Sequence, residues 1–378
     1  MRILVLNAGS SSLKASVLDS GRRRPLAQVS ADWGSDATRT ADRSATVERA
    51  LAELETSGAP ASTLEAVGHR MVHGGHARRD PALIDEPLLA ELDELTSLAP
   101  LHNAVALDTI RASQLLLERP QAVAFDTGFH GSLPPEAFVY PLPWQWHVDW
   151  GIRRYGFHGL SVEWAVRRAG ELLGRGAPEL NLIVAHLGNG CSVTAVAGGR
   201  SVATSMGLTP LEGLMMGTRA GSVDPGVMLE LLRAGRVTVE QLAETLDHES
   251  GLLGVSGVSG DVRRVSAAAE AGDQRAALAL AIFARRAAEG IAAAATSLPQ
   301  LDVLVFTGGI GQNAGALRAE IVRRLAPLGV APVEPAESGE DRLLSHGDRA
   351  VPVLRVEARE DIVIAEAVES LVEGWPAA

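Results

Sequence analysis

Three glycine-bearing turns contain the residues best able to do chemistry. Asn181 to Val196 runs Asn-Leu-Ile-Val-Ala-His-Leu-Gly-Asn-Gly-Cys-Ser-Val-Thr-Ala-Val, an apolar run, a polar turn from His186 to Gly190, and a second run. Runs of this length bounded by Gly and Asn read as two strands and a tight turn. Taken alone, the stretch suits an ordinary hairpin. The N-terminus repeats the design about 180 residues earlier, Ile3 to Leu6 entering Asn7-Ala8-Gly9-Ser10-Ser11-Ser12-Leu13-Lys14. Glycine lets backbone N–H groups approach a ligand, and clustered N–H groups make an anion cradle. Two such hairpins facing one another across a cleft would grip a polyphosphate. A third turn, Thr307 to Asn313, follows the apolar run Leu301 to Phe306 and precedes a helix, the arrangement that receives phosphate or ribose. The Walker pattern is absent, and no G-x-G-x-x-G follows a strand.

Composition narrows the class. A chain of 378 residues suits about two domains, and 46% apolar content is ample for a core. A net charge of −12 argues against nucleic acid or an anionic membrane as partner. The one cysteine, Cys191, rules out an internal disulfide and reads as a small core residue in a reducing compartment. Ile3 to Leu6 is too short for a signal-peptide core, and no apolar run approaches a membrane span, so a soluble cytoplasmic protein is expected. Among 34 basic residues Lys14 is the single lysine, and a compact ammonium in a glycine-serine turn suits a phosphate.

The positioning elements follow from pattern. Strands are expected over Leu13 to Asp19, Arg24 to Trp33, Leu64 to Val72 and Ala122 to Phe125, and two short runs, Val351 to Val356 and Ile362 to Leu371, close the chain around Glu360-Asp361. Helices are expected over Ala45 to Ser57, Pro87 to Leu95, Asn103 to Glu118, Ala314 to Leu325, and Ser161 to Leu173 with Ser161 as cap. Ala267 to Leu298 reads as helix broken near Gly272. Phe138 to Phe157 holds seven of the fourteen Phe, Tyr and Trp residues, and its prolines oppose a long helix. The long loop Thr204 to Gly226 is too punctuated to be a mere connector, and Gly251 to Gly260 reads as another loop.

Several runs together resemble the acetate kinase family, within the acetate and sugar kinase/heat-shock 70/actin superfamily. They are Asn7 to Lys14, Gly68 to Gly75, Ala99 to Asn103, Phe125 to Thr127, Gly151 to Gly159, His186 to Gly190, Thr204 to Arg219, Ser250 to Gly254, and Val305 to Gly311. Leu160, Val162, Ser222, Gln312 and Ala104 depart from the family's usual residues, and none holds a chemical role.

The resemblance implies two duplicated RNase H-like, actin-like α/β domains, each a mixed sheet flanked by helices, with an interdomain cleft. The first would span residues 1–178 plus 362–378 and the second 179–361. It implies reversible, Mg²⁺-dependent transfer of the ATP γ-phosphoryl to acetate, with Mn²⁺ able to substitute for Mg²⁺. Propionate is the alternative acceptor, and a non-kinase actin-like or chaperone-type ATPase the alternative class. A sugar kinase would need an aspartate base, for which Asp126 is the only candidate. A homodimer is expected.

By the same resemblance, Arg70 and Arg219 serve the carboxylate and the transferring phosphate, a task suited to forked guanidinium groups. His158 is the expected transition-state donor, and Asp126 and Glu360 orient the metal through water with help from Asn7. Asn7, Ser12, Lys14, His186, Asn189 and Gly190 are expected at the phosphates. Asp261, Val262, Arg263, Gly309, Gly311 and Asn313 are expected at the nucleotide. Val72, Leu101, Phe157 and Pro210 form a small apolar cup that fits a methyl group. The histidines His69, His73 and His76 lack the cysteine or acidic cage of a transition-metal site.

Overall fold

The first two of the three glycine turns tie together antiparallel pairs. β1 (Arg2–Ala8) pairs with β2 (Ser12–Asp19), placing Asn7 opposite Lys14. β7 (Asn181–Leu187) pairs with β8 (Cys191–Ala197), placing His186 opposite Ser192. The computed structural model describes residues 1–9, 12–33, 40–98, 100–335, 339–345 and 350–373, with backbone alone for 40–42, 97–98 and 100–102.

The chain divides into two units, Met1–Phe129 with Arg359–Ala378, and His130–Ala358. The first contains a mixed sheet of order β3-β2-β1-β4-β6-β5, its further strands being β3 (Ala27–Asp32), β4 (Ala66–Met71), β5 (Ala82–Leu83) and β6 (Gln121–Phe125). The second contains the order β11-β12-β10-β7-β8-β9, with β9 (Arg200–Thr204), β10 (Val303–Thr307), β11 (Arg342–Leu343) and β12 (Val353–Arg355). The two orders are one topology. The hairpin strand β1 runs parallel to β4, and β4 to β6; β7 runs parallel to β10, and β10 to β12. Both sheets end on a short antiparallel strand, β5 or β11.

Parallel strands in such a sheet need cover on both faces, so they read as continuous apolar runs. β6 and β10 are buried throughout. The helices Pro100–Leu116 and Glu360–Val372 pack on β1 and β4 in the first unit. In the second, Gly159–Leu173 packs on β7 and β10, and Gln274–Ala295 on β7 and β8. No helix among the described residues is long and apolar enough to cross a membrane.

Several elements differ from the sequence reading. The division falls after Phe129 rather than after residue 178, and before Arg359 rather than after residue 361. The Gly159–Leu173 helix supplies the cover for β7 and β10, and His130 bonds Ser201 on β9, so residues 130–178 belong with the second sheet. Ser161 is not a cap: the helix starts at Gly159, and His158 precedes it in a left-handed conformation without a capping bond. Gly251–Ser256 and Gly308–Asn313 are short helices rather than loops. The Ala-rich stretch, by contrast, breaks at Gly272 as expected, into Val262–Glu270 and Gln274–Ala295, the second capped by Asp273.

Candidate active site

In the first unit the C-terminal ends of the parallel strands gather charge. Arg70 lies on β4, and Asp126 directly follows β6, its N–H donating to the Met71 carbonyl at 2.9 Å. That ladder bond brings the two side chains together. Arg70 Nε donates to Asp126 Oδ1 at 3.1 Å, and Nη2 donates to Oδ2. Glu360, the first residue of its helix, lies 3.5 Å from Arg70 Nε and accepts from Asn7 Nδ2 at 2.8 Å. Burial opposes the charge on Arg70, but Asp126 and Glu360 outweigh it and hold the guanidinium pKa above its ordinary value.

One guanidinium stands between two carboxyl groups, so acidic groups outnumber basic ones in the cluster. Its remaining donors are oxygens, the ligand type hard cations select. Among the described residues no group of three or more His, Cys, Asp or Glu could hold a metal directly. Mg²⁺ keeps several waters and needs few protein ligands, so two carboxylates and an amide fit it through water.

Val72, just past β4, is buried. The side chain of Leu101 lies outside the described residues, as do Ser10 and Ser11 of the first turn. Ser12 opens β2, where its carbonyl accepts the Gly9 N–H at 2.9 Å. Lys14 is exposed on the same strand.

The second unit presents two imidazoles, one guanidinium and backbone groups. The imidazole rings of His158 and His186 stack at 4.0 Å, inclined by 19°. His158 Nδ1 bonds Ser192 Oγ at 3.0 Å, and His186 Nδ1 bonds Ser161 Oγ at 2.8 Å. Anchoring Nδ1 turns each Nε2 toward the glycine turn. A Cβ built on Gly190 would lie 3.2 Å from His158 Nε2 and 3.7 Å from Arg219 Nη1, so only glycine leaves this approach open. Gly190 of the turn therefore stands beside His158 and Arg219. Asn189 is exposed, and its carbonyl accepts the Gly217 N–H at 3.1 Å, tying the turn to the loop that carries Arg219.

Arg219 is half-buried. It donates to the Pro210 carbonyl at 3.1 Å and forms no ion pair among the described residues. Burial pushes its pKa down, only partly offset by Asp247. Phe157 is buried, and Pro210 is partly so. Cys191 is buried, and its thiol is pushed up to about 12, chiefly by burial, which makes it inert.

The expected nucleotide positions sit on two helix starts. Asp261 caps Val262–Glu270 by accepting the Arg263 N–H at 2.9 Å, and also pairs with the exposed Arg263 side chain. Val262 is buried. Gly309 is exposed, with its carbonyl bonded to Asn313 Nδ2 at 2.9 Å. Gly311 is buried and accepts from Arg318 at 2.8 Å.

Three supporting residues escape the sequence reading. Ser161 and Ser192 orient the two histidines, and His130 Nε2 bonds the Phe157 carbonyl at 2.9 Å, just before the left-handed His158. A serine two residues after a glycine looks like a helix cap, which hides its role as an imidazole partner. His130 lies four residues after Asp126, just past the strand Ala122 to Phe125, the one signal available for it.

One sheet topology is used twice, with charge gathered at one set of strand ends and glycine turns at the other, which is a duplicated α/β fold. The acetokinase family model matches residues 2–366. An acetate kinase from Synechococcus is 45% identical over 99% of this chain and 100% of its own. The crystal structure of Porphyromonas gingivalis acetate kinase is 33% identical, covers 98% of this chain and 99% of its own, and superposes with a TM-score of 0.87. A propionate kinase from Francisella tularensis is 34% identical over 98% and 99% of the two chains, with a TM-score of 0.88. The chain belongs to the acetokinase family.

Proposed function

We propose that the protein transfers the γ-phosphoryl group of ATP to acetate, reversibly, giving acetyl phosphate and ADP. The observation that carries this reading is the placement of Arg219 beside Gly190 and His158 without a carboxylate partner. A cation kept unpaired at a glycine turn is preorganised for a phosphoryl group whose charge spreads over its oxygens.

In this reading Arg219 and His158 stabilise the transferring group. His186, Asn189, Gly190, Asn7, Ser12 and Lys14 hold phosphates. Gly309, Gly311, Asn313, Asp261, Val262 and Arg263 hold the nucleoside. Asp126 and Glu360, with Asn7, hold Mg²⁺ through water, and Mn²⁺ substitutes. The metal, when bound, neutralises charge on the phosphates. Arg70 takes the acceptor carboxylate. An ionised carboxylate attacks without losing a proton and needs no general base. That suits Asp126, both of whose oxygens already accept from Arg70.

Val72, Leu101, Phe157 and Pro210 enclose the methyl group. One added methylene changes discrimination by only about 1–3 kcal/mol, so propionate is a slower second acceptor. The similarity to a propionate kinase favours keeping that second reading.

The acidic, single-cysteine chain suits the cytoplasm. A second copy suits the apolar surface of the His130–Ala358 unit. The helices Pro225–Arg233 and Val239–His248 have no buried residue and expose Val227, Leu229 and Val239, while Trp144 and Trp150 are exposed on another helix. Light scattering should give twice the chain mass; a monomer would remove the dimer.

Purified protein with ATP, Mg²⁺ and acetate should form an acyl phosphate that hydroxylamine traps, and EDTA should abolish it. No trapping with acetate, propionate or butyrate would sink the reading.

A further inference from the structure

The loop from Thr204 to Arg219 carries both Pro210 and Arg219. Between β9 and Pro225 it has neither strand nor helix among its residues, all of which are described. Its shape must therefore come from side-chain and isolated backbone bonds. In its first part, residues 205–212, many of those bonds involve Tyr140, Arg154 and Glu212, all outside the expected site.

Tyr140 donates its hydroxyl proton to Glu212 Oε2 and accepts the Leu208 N–H at 2.9 Å. Arg154 donates from Nη2 to Glu212 Oε1 at 2.7 Å, and from Nη1 to the carbonyls of Ser205 and Met206, both at 2.9 Å. The Tyr155 N–H donates to the Gly207 carbonyl at 3.0 Å. Each residue from 205 to 208 is thus tied to the 140–155 segment. A Cβ at Gly207 would lie 1.8 Å from Glu212 Oε2, so the carboxylate occupies the space a side chain would need.

Pro210 sits midway between the two fixed points, Leu208 and Glu212. Its carbonyl accepts from Arg219 Nη1 at 3.1 Å, and its ring is an expected wall of the acyl cup. We infer that Glu212, gripped by Tyr140 and Arg154, is a positioning residue that sets both the place of Pro210, an expected wall of the acyl cup, and the aim of Arg219. The inference rests on the proposed roles of Pro210 and Arg219. It adds a link between them: acceptor choice and phosphoryl transfer are governed by one carboxylate that touches neither substrate. The hydroxyl of Tyr140 is well suited to the grip, since burial and its bond to Glu212 raise its pKa and keep it a donor.

The test uses Glu212→Gln, which keeps shape but loses charge, and Tyr140→Phe, which keeps the ring beside Arg154 and loses one donor. For both, kcat, the KM for ATP, the acetate-to-propionate ratio of kcat/KM, and the thermal midpoint are measured. A misaimed group costs about 10²-fold in rate at worst, so Glu212→Gln should lose about ten- to a hundredfold in kcat. The acetate preference should fall about threefold or more while the KM for ATP stays within about twofold. Tyr140→Phe should show the same pattern, smaller. The inference is overturned if folded Glu212→Gln keeps its acetate preference and kcat within about twofold of the parent. It is also overturned if the KM for ATP rises with every other parameter, which marks general loosening. If Glu212→Gln fails to fold, Tyr140→Phe decides by the same criteria. The parent and Arg219→Ala run alongside: a parent that forms no trappable acyl phosphate removes the proposed function itself, an active Arg219→Ala removes Arg219's role and this inference with it, and an inactive Arg219→Ala beside an unchanged Glu212→Gln removes this inference alone.

Discussion

Arg70 and Arg219 occupy opposite electrostatic situations. Arg70 stands between Asp126 and Glu360, and its charge is more than balanced before anything binds. Arg219 has a carbonyl for company and burial against it, so its charge is uncompensated. The first arrangement attracts a cation and releases its arginine only in exchange for another partner. The second attracts an anion outright. The same sheet topology has therefore been given complementary chemistry in its two copies, as a reaction joining two anions with a divalent metal requires.

Asp126→Asn should most strongly break this contrast. It removes the charge from a buried pair, for which about 3–5 kcal/mol of stability is the usual loss, and it should raise the Mg²⁺ concentration needed for activity. Denaturant unfolding checks the first and metal titration the second; a loss under about 1 kcal/mol would mean that Glu360 alone compensates Arg70. Arg219→Ala should leave stability nearly intact but lower kcat about 10²–10³-fold, the cost of one preorganised donor. A drop below about threefold would take Arg219 out of the mechanism.

Acid should stress both units through buried histidines. His69, on β4, and His130 are held neutral, their pKa values lowered from 6.5 to about 4, chiefly by burial. The unfolded chain binds these protons from about pH 6.5 downward while the folded one does not, so stability falls as pH drops from about 6.5 toward 4. Each histidine contributes at most about 1.4 kcal/mol per pH unit. Unfolding curves across that window should steepen the loss, and His69→Gln should remove the first unit's share. A flat profile would contradict neutral burial. The smallest expected effect is Ser161→Ala, which frees His186 Nδ1. About 1 kcal/mol of nucleotide binding should go, read as a several-fold rise in the KM for ATP with kcat little changed.

The local grammar of this chain was readable where it depended on neighbours in sequence. The hairpins at Asn7 and His186, the buried runs before Asp126 and Thr307, and the loop ahead of Arg219 all appear where pattern places them. The compensation of Arg70 was not readable, because Asp126 and Glu360 join it only through β4, β6 and the start of the last helix. The two short runs expected at the C-terminus leave Glu360 in a linker, whereas Glu360–Val372 is one helix that fixes it. Ser161 was misread because capping is a local rule, and its partner His186 lies 25 residues away. Leu101 is legible as part of the family's acyl pocket, but its side chain lies outside the described residues.

His158 is the one non-glycine residue with positive φ, at 60°, among the described residues. An L-residue pays about 1–2 kcal/mol there relative to glycine. Replacing His158 with glycine would ease the backbone while removing the imidazole. The strained backbone and the anchored ring thus pull in opposite directions: glycine would relieve the first and forfeit the bond to Ser192 and the stack on His186, so the ring's own contacts hold the strained conformation in place.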